Sequence, residues 1–149
     1  MSARARAALA LAFVLSLLVA GGCARAPGGR AAIQERYDAL AAAVRAGDAA
    51  GVRALWAADP SAAGSPLAAL DDAQRSGGRV TAWTTTVQRY RMVGDTAVVD
   101  ADVRSVAERA GMTTVTSQVV RGFWVKASGG WTIARTEPLG VADVEPVAR

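Results

Sequence analysis

The sequence predicts an α+β fold, with three short helices packed on a curved antiparallel sheet of about four long strands. Three observations lead there. Apolar residues recur at helical spacing between residues 31 and 76. From Arg79 onward the chain changes to long runs of threonine, valine and tryptophan, punctuated by glycine-containing turns. Helices grouped first and strands grouped afterwards mark a sheet covered by helices on one face, not alternating helix and strand units. A length of 149 residues allows one such domain with a single core.

Each element follows from local signals. Ile33, Tyr37, Leu40 and Val44 fall at i, i+4, i+7 and i+11, one apolar stripe, with Gln34, Glu35, Asp38 and Arg45 placed off it. Gly47 ends that helix, because glycine readily takes the left-handed backbone of a C-terminal cap. Asp48 is the cap of a second helix with Val52, Leu55 and Trp56 inward, stopped by Asp59-Pro60. Ser65-Pro66 reads as cap and first-turn proline of a third, with Leu67 and Leu70 inward and Gly77-Gly78 at its end.

The strands are read as 79–93, 96–107, 112–126 and 131–137, the first two joined at Gly94-Asp95 and the last two through Ala127-Ser128-Gly129-Gly130. If Val93 pairs with Thr96, Tyr90 lies opposite Val99 and Thr86 opposite Val103, while Arg89 meets Asp100 and Val87 meets Asp102. That register makes one face apolar and the other charged. The charged face is either solvated or a polar interface between two copies, a homodimer through the sheet.

Ahead of the domain, Met1–Arg6 carry a short positive segment and Ala7–Ala20 an uncharged apolar stretch of fourteen residues. That is the length of a signal-peptide core and too short for a membrane span. Gly21, Gly22 and Cys23 follow, and the segment resembles a bacterial lipobox, in which the cysteine receives lipid. The organisation expected is a signal peptide over 1–23, a tether over 24–30 rich in proline and glycine, the folded domain over 31–140 and a disordered tail over 141–149. The protein is then exported and anchored in the cell envelope through lipid on Cys23. A single cysteine forms no internal disulfide, so Cys23 is acylated, paired with another chain or lost with the leader, and the fold stands without disulfides.

The net charge is +4, but Arg4 and Arg6 belong to the leader, which leaves fifteen basic against thirteen acidic residues from Cys23 onward. So small an excess gives no basis for a nucleic-acid partner. The chain contains no histidine, the commonest general base near neutral pH and the commonest metal ligand. No glycine-rich phosphate loop, serine-centred elbow or metal-ligand motif occurs, so no cofactor or metal is implied.

Two segments carry a resemblance: RYDALAAAVRAGDAAGVRALWAADP, helix, turn and second helix ending in Asp-Pro, and VVRGFWVKASGGWTIARTEPL, strand, glycine turn and Trp-led last strand. Both resemble the nuclear transport factor 2-like superfamily, which includes ketosteroid isomerase and SnoaL-like cyclases. The resemblance covers about residues 31–140 and implies a cone, with helices folded over a curved sheet around a pocket. It does not bring the isomerase chemistry with it. The positions matching the isomerase tyrosine, carboxylate base and second acidic donor are Leu40, Gly64 and Arg121, none a usable group for that reaction.

The remaining site candidates are Arg121, Tyr37, Trp56 and Trp124 as ligand-binding residues, with no catalytic residue assigned. Arg121 interrupts the apolar Val119, Phe123 and Val125, so it is an anion-holding group in the pocket, a partner for an acid such as Glu137 or Asp59, or exposed on the outer face. Tyr37 could offer its hydroxyl to the pocket, and Trp56, Trp83 and Trp124 could wall it, while Trp131 closes the fold. Asp71-Asp72 reads as a solvated pair. The function expected is non-catalytic, an exported lipoprotein domain binding a small apolar or anionic ligand or an envelope protein. The alternatives are an isomerase-, dehydratase- or cyclase-type enzyme on an apolar substrate, and an accessory subunit of an envelope transport complex.

Overall fold

The computed structural model describes residues 28–57 and 66–147. The leader with Cys23, most of the tether, Asp59-Pro60 and Gly64-Ser65 lie outside the described residues. Helix α1 spans Gly29–Ala46 and buries Ile33, Tyr37, Leu40, Ala41 and Val44, the stripe read from the sequence with one alanine added. It ends at Gly47, φ 69°, where two amides turn back into the last turn: Gly47 N–H to the Val44 carbonyl at 3.1 Å and Asp48 N–H to the Ala43 carbonyl at 2.9 Å.

Asp48 then caps α2, Ala49–Arg53, its carboxylate accepting the Gly51 N–H at 2.9 Å. This helix is shorter than the sequence predicts. After Arg53 the chain makes a tighter turn, Leu55 N–H to the Val52 carbonyl at 3.2 Å and Trp56 N–H to the Arg53 carbonyl at 3.0 Å, and then meets the last long strand: Ile133 N–H donates to the Leu55 carbonyl and Ala57 N–H to the Ile133 carbonyl, both at 2.8 Å. Those backbone groups are satisfied by the sheet, which offers them what a further helical turn would have offered. Helix α3, Pro66–Arg75, buries Pro66, Leu67, Leu70 and Ala73.

The strands are β1 Arg79–Val93, β2 Thr96–Arg109, β3 Met112–Ala127, β4 Gly130–Pro138 and β5 Asp143–Val147. The first four pair antiparallel in sequence order, and β5 pairs with β3. The last strand corrects the expectation of a disordered tail, at least for residues 143–147. β4 covers β3 from Val120 to Ala127, so the other half of a sixteen-residue strand would have an open edge, and β5 fills it over Thr113–Ser117. Pro146 disguises β5 in the sequence, yet proline is tolerated on an edge strand.

The first hairpin holds Val93 opposite Thr96, Tyr90 opposite Val99 and Arg89 opposite Asp100, as expected. Beyond that the register corrects the sequence reading. A bulge between Val87 and Arg89 sets Val87 opposite Ala101 and Thr86 opposite Asp102, and a second lies between Val80 and Ala82. Each extra residue restores the inward phase after a bend, so Val80, Trp83, Val87 and the half-buried Tyr90 share the helix-facing side although their spacing is not strictly two. Such bulges sharpen the local twist, and the helices pack on the inner side of a curved sheet, the α+β cone expected. Trp124, Ile133 and Val99 at the sheet and Ile33, Val44 and Val52 on the helices are its most buried large side chains.

Candidate functional site

The helices do not fill the space above the sheet, and a cavity of about 330 Å3 remains between them. Tyr37, Leu40 and Trp56 bound it from the helical layer, and Trp83, Thr85, Gln118 and Val120 from the sheet. Tyr37 and Leu40 reach it because they sit three apart on one face of α1. Trp56 reaches it because the chain after α2 bridges to Ile133; it is half-buried there, not wholly in the core. No described residue lining the cavity carries a formal charge.

Residues around the cavity also carry polar atoms that are buried and have no hydrogen-bond partner in the protein. The Tyr37 hydroxyl, the Trp83 indole N–H, the Thr85 hydroxyl and, behind the wall, the Trp124 indole N–H are buried and make no hydrogen bond. Tyr37 is 3% exposed, Thr85 5% and Trp83 6%. Most buried polar groups in folded proteins are paired, so several unpaired ones around one cavity are unusual. Burial pushes the Tyr37 phenol up to about 12, only partly opposed by the neighbouring Trp124 N–H. That N–H lies near enough to favour the charged oxygen but outside hydrogen-bond geometry. Tyr37 is therefore a neutral hydroxyl at physiological pH.

Gly122 makes this arrangement possible. A Cβ there would stand 2.8 Å from Trp124 Nε1 and 2.9 Å from the Tyr37 oxygen, so only glycine lets both groups lie down on β3. The two rings meet edge to face at 4.9 Å between centroids and 81° between planes. Trp124 is 1% exposed and supports Tyr37 without itself lining the cavity.

Arg121 is the correction. It pairs across the sheet with Asp100, a residue flanked by the inward Val99 and Ala101, so both point from the outer face and not into the cone. Arg121 Nε and Nη2 donate to the two Asp100 oxygens at 2.7 and 2.9 Å. This fork-to-fork bond holds the Asp100 carboxyl below its usual range and raises Arg121 in turn. The acid that partners Arg121 is thus its cross-strand neighbour, and the anion site expected in the pocket is absent at this residue. The strand's alternation explains it: Val120 faces in, so Arg121 faces out.

The other candidates separate in the same way. Asp71 and Asp72 are exposed on α3, with Asp72 3.7 Å from Arg75. Trp131 is buried and its carbonyl accepts from Arg36 Nε at 2.9 Å, tying α1 to β4. Of the isomerase-matching positions, Leu40 lines the cavity, Arg121 lies across the sheet and Gly64 is outside the described residues. The sequence reading missed Thr85, Ser105, Thr116 and Gln118, which bring polar groups to the inner face. Their signal was phase: Ser105 follows Val103 by two and Gln118 precedes Val120 by two.

No protein-family model matches the chain, and no curated protein does. Solved structures do. A hexachlorocyclohexane dehydrochlorinase (LinA) type 2 superposes with a TM-score of 0.59 at 15% identity, covering 80% of this chain and 88% of that one. An NTF2-like protein with a cystatin-like fold from Novosphingobium aromaticivorans superposes with a TM-score of 0.50 at 21% identity, covering 86% of each. This chain has the nuclear transport factor 2-like fold. A protein of unknown function from Mycobacterium tuberculosis shares it, with a TM-score of 0.59 at 20% identity over 75% of this chain and 74% of its own. At these identities the nuclear transport factor 2-like likeness fixes the fold, and the chemistry has to be read from the cavity.

Proposed function

We propose that this chain is an exported, lipid-anchored binding protein that holds a small, uncharged, largely apolar ligand in its cone and does not turn it over. The observation that carries the reading is the cavity itself: about 330 Å3, walled by Tyr37, Leu40, Trp56 and Trp83, with buried polar atoms unpaired and no charged side chain among its described lining residues. Aromatic walls with a few fixed polar groups are usual in small-molecule sites. An ionic ligand would enter without a counter-charge on those walls, at a cost of several kcal/mol or more.

The absence of turnover rests on proton transfer. General acid–base catalysis works best with a group titrating near the working pH, and the ionisable group on the described walls is Tyr37, held at about 12. Export and anchoring rest on the leader, the apolar Ala7–Ala20 run and Cys23.

Native mass spectrometry of the full chain taken from membranes tests the binding reading, with a co-purifying neutral small molecule expected. An empty protein that also fails to take up naphthalene derivatives would overturn it. Turnover of a 3-oxo-steroid above the buffer rate would overturn the non-catalytic part. Replacing Cys23→Ala is expected to release the protein from the membrane fraction, and unchanged membrane association would sink the anchoring.

A further inference from the structure

We propose that the end of the sheet carrying Met92, Val93 and Lys126, with Arg89 and Arg91 behind it, docks on an anionic phospholipid bilayer and sets how the tethered domain stands on the membrane; this rests on Cys23 carrying lipid. Two turns meet at that end. Val93 pairs with Thr96, Thr96 with Val125 and Ala127 with Gly130, and the Lys126 N–H donates to the Asp95 carbonyl at 2.8 Å, so the β1–β2 and β3–β4 turns stand side by side. Met92 is 50% exposed there and Val93 64%. Residues 89–96 and 125–131 hold three cations, Arg89, Arg91 and Lys126, against one acid, Asp95. All three cations are exposed, and none forms a side-chain hydrogen bond or ion pair with a described residue; Arg89 adds no more than its field at Asp100. Arg89 and Arg91 line a groove of about 320 Å3 with Arg121, whose charge Asp100 already balances. Exposed apolar side chains beside unpaired cations match a bilayer surface, where the first enter the headgroup layer and the second meet its phosphates.

The chain enters the domain at this same end. Arg30 Nη2 donates to the Val87 carbonyl at 3.0 Å, and a Cβ on Gly29 would meet the Tyr90 hydroxyl and, at 3.1 Å, Met92 Sδ, so α1 starts against the last residues of β1. Five residues, 24–28, separate Cys23 from Gly29. At about 3.3–3.6 Å per residue they keep Gly29 within roughly 20 Å of the lipid. Met92 and Val93 therefore stay near the bilayer in every orientation of the domain. A linker that short gives the surface an effective concentration on the order of mM at the membrane, so a small patch is enough. Each Lys or Arg near anionic headgroups strengthens association roughly fivefold. Three are too few to retain an untethered protein, which agrees with the release expected of Cys23→Ala.

Charge distinguishes this end of the sheet from the other. Met112, Val144 and Val147 are also exposed, but they sit at the far end, where Val147 pairs with Thr113 and Asp143 with Ser117. Glu108, Asp143 and Glu145 there outnumber Arg79 and Arg109, and Arg79 is already paired with Glu108. An excess of acid repels an anionic surface, whereas the unpaired cations near Val93 are drawn to it. Docking through the Val93 end turns Ser105, Thr116 and Ala142, on the cavity wall in the far half of the sheet, away from the bilayer.

The test uses the lipidated protein purified from membranes, placed in vesicles of phosphatidylcholine alone or mixed equally with phosphatidylglycerol, with nitroxide groups on a fraction of the lipid headgroups. A fluorophore is attached through Val93→Cys or, at the far end, Met112→Cys; with the Cys23 sulfur bonded to lipid, the introduced thiol is the reactive one. The label at Val93→Cys is expected to be quenched about threefold or more strongly in anionic than in neutral vesicles, and the difference to vanish in about 1 M salt, where charges are screened within about 3 Å. The label at Met112→Cys should be quenched alike in both. Combining Arg89→Gln, Arg91→Gln and Lys126→Gln, all at exposed positions, should remove the preference at Val93→Cys. The salt dependence reads the same docking without those three changes. Equal quenching at Val93→Cys in both lipids, stronger quenching at Met112→Cys, or a preference that survives the three substitutions or the salt would overturn the docking surface and leave the anchor standing. An intact mass without lipid on Cys23 would overturn the anchoring reading, and this inference with it.

Discussion

The two faces of the sheet treat polar groups in opposite ways. On the outer face three ion pairs form, Arg121 with the buried Asp100 at 2.7 Å and the more exposed Arg79 with Glu108 at 3.0 Å and Arg135 with Glu137 at 2.7 Å. On the inner face the described polar groups are uncharged, and those of Tyr37, Trp83, Thr85 and Trp124 are buried and unpaired. Water can satisfy an exposed group at little cost, so the two exposed pairs, Arg79 with Glu108 and Arg135 with Glu137, are worth little in stability. A buried unpaired group costs about 1–3 kcal/mol. The proposed binding cavity lies on this inner face.

The sharpest way to break this comparison is to cut adjacent residues that face opposite ways. Trp124 is fully buried beneath Tyr37, whereas Phe123 points outward with the Arg135 guanidinium 3.9 Å from its ring centre. Trp124→Ala is expected to cost about 3–5 kcal/mol as a large core aromatic. Phe123→Ala should cost only about 1–2 kcal/mol, from partial burial and a surface cation–π contact. Chemical denaturation of both variants checks the ratio, and equal losses would mean that the outer face is covered by something else in solution.

Gly122→Ala comes next in size. The added methyl must displace Trp124 Nε1 and the Tyr37 oxygen, 2.8 and 2.9 Å from where it would sit, and both belong to packed rings. Overpacking of this kind costs about 1–3 kcal/mol. It should also alter binding of naphthalene derivatives in the cone, whereas Ala134→Gly, on the neighbouring strand and outside the cavity walls, should not.

How much of this was legible in the sequence follows the same division. The helical stripe, the caps at Gly47 and Asp48 and the ends of the long strands are local signals, and the structure follows them closely. The inner face was harder, because the bulges at 80–82 and 87–89 break the two-residue alternation on which such a reading depends. Arg121 was misplaced for a different reason. Its neighbours Val119, Phe123 and Val125 suggested an apolar face, but those residues lie on the outer side with it, and Phe123 and Val98 pair there. Tyr37 and Trp56 were found because helix spacing and chain order alone bring them to the cavity wall. The cost of unpaired N–H and O–H groups appears in no sequence pattern, since it depends on what long-range packing leaves out.

A smaller effect separates the faces by pH. Asp100 is held below its ordinary value of 3.8, first by its hydrogen bond from Arg121, against a desolvation cost from burial, and then by the charges of Arg121 and Arg89. A carboxyl lowered in the folded state adds stability that is fully present above its unfolded value and lost as pH falls through the folded one. The loss therefore falls in the acid range below 3.8. Between about pH 6 and about pH 2.5 the unaltered protein should lose more stability than Arg121→Gln does, as the linkage of proton uptake to unfolding requires. Asp100 is shielded by its own neighbours on the sheet rather than by a second layer, so the difference should shrink in high salt. Binding of naphthalene derivatives in the cone should not change with this substitution.

The smallest expected effect concerns the turn that keeps the two faces apart. Between β2 and β3 the chain reverses through Ala110 and Gly111, with φ 49° and 80°, and Ala110 is the non-glycine residue with positive φ among those described. An alanine in the left-handed region costs roughly 1–2 kcal/mol relative to its ordinary backbone. Replacing it with glycine relieves that strain but frees the unfolded chain, which takes back about 0.4–1 kcal/mol. Ala110→Gly should therefore stabilise the protein by about 0.5 kcal/mol, read as a small rise in denaturation midpoint with an unchanged slope. The turn and the strands make separate claims on register, and the substitution distinguishes them. A one-residue slip would carry Asp100 inward and Val99 outward, a change far costlier than the turn strain. The pairing of Arg109 with Met112 should thus survive a more permissive turn, and the Arg121-dependent acid sensitivity should be the same in Ala110→Gly as in the unaltered chain. Loss of that sensitivity would mean that the turn, and not the opposed chemistry of the two faces, sets the register of the sheet.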